Sequence, residues 1–260
     1  MAAIAVSTSF SPAPILTAGS AANGATYIQG GLVPGSWAQV KGIQLSNVTR
    51  VWTSSDFTGL GDNLPTILSG VQVMVNNQPA ALYYIDMGQV DFQVPDGVSG
   101  TVSVQVINNG IAGNTVTAAA VTSAPGIFPN VVNGVNYPAA VFSDGKLAGD
   151  PGIGSGYRNA RPGDSIALYA TGLAPEPARV LPTAQAIGGV TVTVGMLTVP
   201  ADYAGLTEYV GELQINFTLP QQFASMPAGI YPISIQVNGV TSPSTINTMP
   251  PAEIVLPVQH

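Results

Sequence analysis

The sequence predicts an all-β chain built as two tandem sandwiches. Two observations carry that expectation: apolar residues alternate with a period of two, and the halves of the chain are colinear copies of each other. No stretch keeps an i, i+3, i+4, i+7 apolar stripe for three turns, so helices are not expected. The strands follow in order. Val71, Val73 and Val75 alternate with Gln72, Met74 and Asn76, and Val102, Val104 and Val106 alternate with Thr101, Ser103 and Gln105. In the second half Val190, Val192 and Val194 alternate with Thr191 and Thr193, and Ile233, Ile235 and Val237 with Ser234 and Gln236. One face of each strand is therefore expected in a core. Asn108-Asn109-Gly110 and Asn238-Gly239 are the turn signals, because Asn and Gly accept the positive φ of tight hairpins.

The copies share landmarks in one order. Asn23-Gly24-Ala25-Thr26-Tyr27 answers Asn133-Gly134-Val135-Asn136-Tyr137, and Pro34-Gly35 answers Pro162-Gly163. Leu64-Pro65-Thr66 answers Leu181-Pro182-Thr183, and Gln89-Val90-Asp91-Phe92 answers Gln214-Ile215-Asn216-Phe217. Each copy holds about seven short strands in roughly 110–130 residues, which suits an immunoglobulin-like sandwich. The expected domains are 1–122, with 1–10 as an orphan N-terminal strand, and 123–260. The copies differ in two loops: Leu45 to Leu64 is 19 positions against 8 from Leu173 to Leu181, and Tyr27 to Pro34 is 7 against 25 from Tyr137 to Pro162. Loop-borne function is expected there.

Composition removes several function classes. Lys plus Arg is 6 against 13 for Asp plus Glu, a net charge of −7, so nucleic acid is not an expected partner. There is no Cys, and the single His is the last residue, which excludes disulfides, thiolate metal sites and an internal Ser-His-Asp triad. No run approaches ~18 apolar residues, so no membrane-inserted helix is expected. Residues 1–10 contain no basic residue and the first Lys is Lys41, so a charged secretory start is lacking. Either a signal has been removed or the chain is a cut piece; an extracellular or cell-surface setting is expected.

The motifs Asn23-Gly24-Ala25-Thr26-Tyr27, Gly88-Gln89-Val90-Asp91-Phe92-Gln93-Val94-Pro95, Ala124-Pro125-Gly126-Ile127-Phe128 and Leu168-Tyr169-Ala170-Thr171-Gly172-Leu173 form a further pattern. With them the chain, over about residues 20–258, resembles the Solibacter-type uncharacterised C-terminal domain of large secreted acidobacterial proteins. That family looks like a pair of IPT/TIG-type immunoglobulin-like units. The resemblance implies secretion and a structural or adhesive role, and brings no catalytic residues.

The candidate residues sit on the variable loops and the ends. Trp37, Gln39 and Lys41 point outward if Ala38 and Val40 point inward, so Trp37 is covered by a neighbouring domain or loop or belongs to a contact surface. Arg50, Trp52, Asp56 and Phe57 form an aromatic and charged group able to stack on a sugar, anchor a protein, or pack on its own domain. Lys146, Tyr157, Arg158 and Arg161 could bind an anion or make a domain–domain salt link. Asp144 and Asp150 offer oxygen ligands, but their spacing is not that of an EF-hand loop, and no metal or cofactor is expected. A glycosidase needs two carboxyls facing across a cleft, and the sequence marks no such pair, so no catalysis is expected. Ile4, Val6, Thr8 and Phe10 alternate as a strand without a home domain, available for pairing with another subunit's sheet edge. The expected function is a non-enzymatic extracellular module that self-assembles through strand edges into a homo-oligomer, filament or surface scaffold. The alternative is an adhesin that binds glycan or other surface proteins.

Overall fold

In the computed structural model, which describes residues 12–57, 63–179, 186–207 and 209–259, two immunoglobulin-like β-sandwiches follow one another along the chain. The first has one sheet in the order Ile15–Leu16, Trp37–Ile43, Gln89–Gln93, Ala81–Ile85, Arg50–Val51, with Ala22–Asn23 also beside Trp37–Ile43. Its second sheet runs Ile111–Ala120, Gly100–Asn108, Val71–Val75, Gln78–Pro79. Val40, Leu82 and Phe92 of the first sheet meet Val73, Val104 and Val106 of the other in one core. Each such side chain contributes about 1.5–3 kcal/mol through burial. The alternation of Val71–Val75 appears directly as buried positions 71, 73 and 75 between half-exposed ones.

The second sandwich repeats the pairing. Ala38 lies opposite Phe92 and Val40 opposite Val90; in the other copy Ile166 lies opposite Phe217 and Leu168 opposite Ile215. These are the positions that correspond in the sequence. The strand Ser165–Thr171 pairs with Leu213–Thr218 and Ala140–Phe142, while Thr191–Val194 and Gly229–Val237 build the facing sheet. Asn109 and Gly110 take φ values of 48° and 81°, and Asn238 and Gly239 take 51° and 77°. Paired positive φ is what a tight hairpin turn requires. Helical structure among the described residues is confined to short 3-10 turns, and no helix there is long and apolar enough to cross a membrane.

The sandwiches are strapped together by the segment that follows Leu173. The Glu176 N–H donates to the Pro34 carbonyl (2.9 Å), the Ala178 N–H to the Asp96 carboxylate (2.8 Å) and the Arg179 N–H to Gln93 Oε1 (2.7 Å). The Leu64 N–H returns a bond to the Arg179 carbonyl (3.0 Å). The strap lies so close that a Cβ on Gly35 would stand 2.3 Å from the Glu176 carbonyl oxygen, and Gly35 also has a φ of 82°. Only glycine meets both conditions.

Candidate functional site

The aromatic residues of the first variable loop gather at this junction. Arg50–Val51 pairs antiparallel with the end of Ala81–Ile85, and the Trp52 N–H continues the ladder to the Tyr83 carbonyl (3.2 Å). That register sets the Trp52 ring 4.9 Å from the Tyr83 ring, edge to face. Trp52 is also 5.7 Å from Phe57 and 5.8 Å from Trp37, and Trp37 is 5.8 Å from Tyr83. Offset and edge-on rings at these distances attract one another beyond the gain from burial alone. The loop is pinned behind them by an Arg50–Asp56 ion pair, and the Thr53 N–H donates to Asp56 (2.7 Å). That backbone bond, with the guanidinium, holds the Asp56 carboxyl below its ordinary range.

Trp37 is fixed from the other domain. Its backbone N–H donates to Thr171 Oγ1 (3.1 Å), its indole Nε1–H donates to the Val210 carbonyl (2.9 Å), and the Thr171 hydroxyl donates to the Gly211 carbonyl (2.8 Å). Gly211, at φ 74°, leaves room for this contact, since a Cβ there would lie 2.8 Å from Nε1. Outward-facing Trp37 is thus half-buried beneath the second sandwich. Gln39, expected outward, is buried as well, and of the three only Lys41 is exposed. Gln39 lies in the middle of the sheet, flanked by Ala22 on one side and Asp91 on the other, on the same face as Trp37.

The rings line an open groove of about 610 Å³ between the sandwiches, closed on the other side by Tyr209 and Val210. Asp91 and Glu212 also line it. Burial, helped by the charge of Asp86, pushes the Asp91 carboxyl up to about 6, opposed by a hydrogen bond from Gln89 and the weaker field of Lys41. Burial likewise raises Glu212. The sequence marks no pair of carboxylates, yet the fold brings these two into one groove. Tyr83 was also missed, although its sequence carried a signal: the doubled Tyr83-Tyr84 breaks the alternation, and a register shift falls between Leu82 and Tyr84. Tyr209 and Glu212 carry no local signal, since only tertiary packing sets them opposite Trp37.

The second variable loop is arranged differently. Arg158 donates to Asp144 (2.9 Å) and to Asp164 (2.6 Å), and its guanidinium lies 3.6 Å from the centre of the Phe142 ring. All of these partners belong to the second sandwich, so the expected domain–domain salt link is replaced by a network within one domain. The two carboxylates pair with Arg158, leaving its guanidinium little to offer an anion. Tyr157, Lys146 and Arg161 line the same shallow pocket. Asp144 also accepts the Lys146 N–H and Asp150 accepts the Gly152 N–H, which places both acids in turn-forming roles.

Ile4, Val6, Thr8 and Phe10 lie outside the described residues. The chain that follows them is held in place: Asn114 accepts the Leu16 N–H (2.6 Å) and donates to the Leu16 carbonyl (3.1 Å), tying Ile15–Leu16 to the edge strand Ile111–Ala120.

Fold and groove together define the class: two tandem immunoglobulin-like sandwiches meeting at an aromatic cleft. Within the first of them, residues 44–123 match the IPT/TIG domain family. Solved structures similar to the chain include SGBP-B of the Bacteroides ovatus mixed-linkage glucan utilization locus, in complex with a mixed-linkage heptasaccharide, at 13% identity and a TM-score of 0.33. That match covers 88% of this chain and 43% of that one, so the chain spans less than half its length. The Escherichia coli adhesin FdeC is similar at 13% identity and a TM-score of 0.26, covering 94% and 66%. The D0-D1 domain of intimin is similar at 12% identity and a TM-score of 0.23, covering 93% and 98%. Likeness this loose carries no argument about function. The comparison with curated proteins gives no match.

Proposed function

We propose that the chain is a non-enzymatic extracellular interaction module of the adhesin type that holds a glycan in the groove between its domains. The observation that carries this reading is the convergence of Trp37, Trp52, Phe57 and Tyr83 on one open groove. Aromatic faces stack on the C–H faces of sugar rings, and the Asp91 and Glu212 carboxylates accept hydroxyl hydrogens. The division into domains 1–122 and 123–260 belongs to this proposal and rests on the landmark order. So does the kinship with the Solibacter-type C-terminal domain. An oligosaccharide array probed with the full chain and with Trp52→Ala tests the reading. Retention that disappears in the variant supports it; a blank array, retention unchanged in the variant, or cleaved products would refute it.

Self-association is the second reading, favoured by residues 115–118 of the edge strand Ile111–Ala120, which lie between its contacts with Leu16 and Leu32 and include no charge and no proline. Natural sheets protect open edges with such residues. Light scattering on the full chain and on a chain lacking residues 1–10 separates the cases: oligomers that dissolve into folded monomers on truncation support strand exchange, and monomers throughout exclude it.

A further inference from the structure

A neutral sugar would stack on the rings of the groove but would bring no counter-charge to its carboxylates. Two carboxylates, Asp91 and Glu212, line it. Six aromatic residues, Trp37, Trp52, Phe57, Tyr83, Phe128 and Tyr209, line the same space. No Lys, Arg or His is among the described residues that line it. Lys41 reaches Asp91 by its field from the neighbouring strand, Arg179 donates through Nε to the Leu64 carbonyl from the strap, and Arg50, two residues before Trp52, is paired with Asp56. None of the three lines the groove. The cost of burying the two carboxylates is therefore not offset by an internal ion pair, in contrast to the network around Arg158.

We infer that the groove selects a cationic ligand, an oligosaccharide carrying free amino groups. The inference rests on the glycan reading above and adds the charge of the ligand. An ammonium group entering the groove supplies the missing counter-charge to Asp91 and Glu212 and lies against the aromatic faces, where cations are attracted by the ring quadrupole. The amino group of a hexosamine stands on a ring whose C–H faces suit Trp52 and Tyr83. An acetylated amine keeps the ring faces and loses the charge, which makes the pair of sugars a direct comparison.

The corresponding comparison copy lacks the charge: Asp91 answers Asn216 in the second domain, and Trp37 answers Ser165 in the aligned strands. Asp91 and Trp37 thus belong to the first copy alone, while Glu212 and Tyr209 reach the groove from the second, so the site needs both sandwiches.

Titration calorimetry on the full chain at near-neutral pH tests the inference with four probes: a glucosamine hexamer, its fully N-acetylated form, a neutral glucose hexamer and benzyltrimethylammonium. The glucosamine hexamer is expected to bind about tenfold more tightly than the acetylated one. That preference should vanish in Asp91→Asn/Glu212→Gln, and in Glu212→Gln alone should the double variant not fold. Equal binding of the two hexamers overturns the cationic preference while leaving a glycan groove. Benzyltrimethylammonium binding without any oligosaccharide supports the charge preference and overturns the glycan reading. Binding of none of the four overturns both.

Discussion

The two variable loops make opposite uses of their distinctive residues. In the second sandwich Arg158 meets Asp144, Asp164 and the Phe142 ring inside a single domain, so its charge is used up where it stands. At the junction the aromatics of the first loop meet residues of the other domain, and Asp91 and Glu212 have no paired cation beside them. A charge near its own counter-charge is a structural element; rings and carboxylates left facing open space are a binding element. The difference follows from placement, since one loop folds back on its own sheet and the other borders a second domain.

Several substitutions would break or sharpen this contrast. The largest effect belongs to the strap. Glu176 is 7% exposed, neither carboxylate oxygen has a hydrogen-bond partner, and burial pushes its carboxyl up to about 8. Its folded-state value is thus raised above the unfolded one, so the native state holds a proton that the unfolded state has released. Stability is then greatest below the unfolded value and falls as pH rises toward about 8. Glu176→Gln should remove that slope, with an advantage over the parent of about 2–4 kcal/mol at alkaline pH. Urea melts of both proteins at several pH values between the unfolded value and about 8 would show it, and parallel pH profiles would contradict it.

Next comes Arg158→Ala, expected to cost about 1–2 kcal/mol, because solvent screens its two ion pairs and the ring contact is lost with them. Glycan binding should be unchanged. A loss of binding with little change in melting would reverse the roles assigned to the two loops. Thr171→Val removes the acceptor for the Trp37 N–H and the donor to Gly211, at about 1–2 kcal/mol. Denaturant unfolding gives the stability cost, and weakened ligand affinity in the same variant would show that the groove depends on the way Trp37 is held. The smallest effect should come from Arg50→Ala, whose ion pair with Asp56 is partly exposed and contributes less than about 1 kcal/mol. A larger change in the melt would mean that this pair organises the loop more than its exposure implies.

Much of the fold was legible because alternation and repeated landmarks are local. Ala38 and Val40 could be placed inward beside Ile166 and Leu168, and the structure pairs them with Phe92, Val90, Phe217 and Ile215 in the same order. The site was legible only on one side. Trp37, Trp52 and Phe57 stood out as aromatics on an expected outer face or a long loop. Their partners Asp91, Tyr209 and Glu212 look ordinary in sequence, since an outward Asp on a strand and a Tyr in a turn are common. What makes them part of a site is the approach of the second sandwich, fixed by the 173–179 strap and by the Val210 carbonyl. Arg158 shows the same limit: a cation-rich loop suggests an external anion or a salt link to the other domain, whereas Asp144 and Asp164 of its own domain pair with it once Tyr157–Arg158 lies parallel to Leu147–Ala148.

The most direct measurement uses the composition itself. The chain contains 2 Trp, and both line the groove, so intrinsic tryptophan emission reports on that site alone. Titrating an oligosaccharide retained on the array should shift or quench the emission along the same curve as the calorimetric binding. Calorimetric binding of that sugar with unchanged tryptophan emission would place the ligand elsewhere and contradict the account.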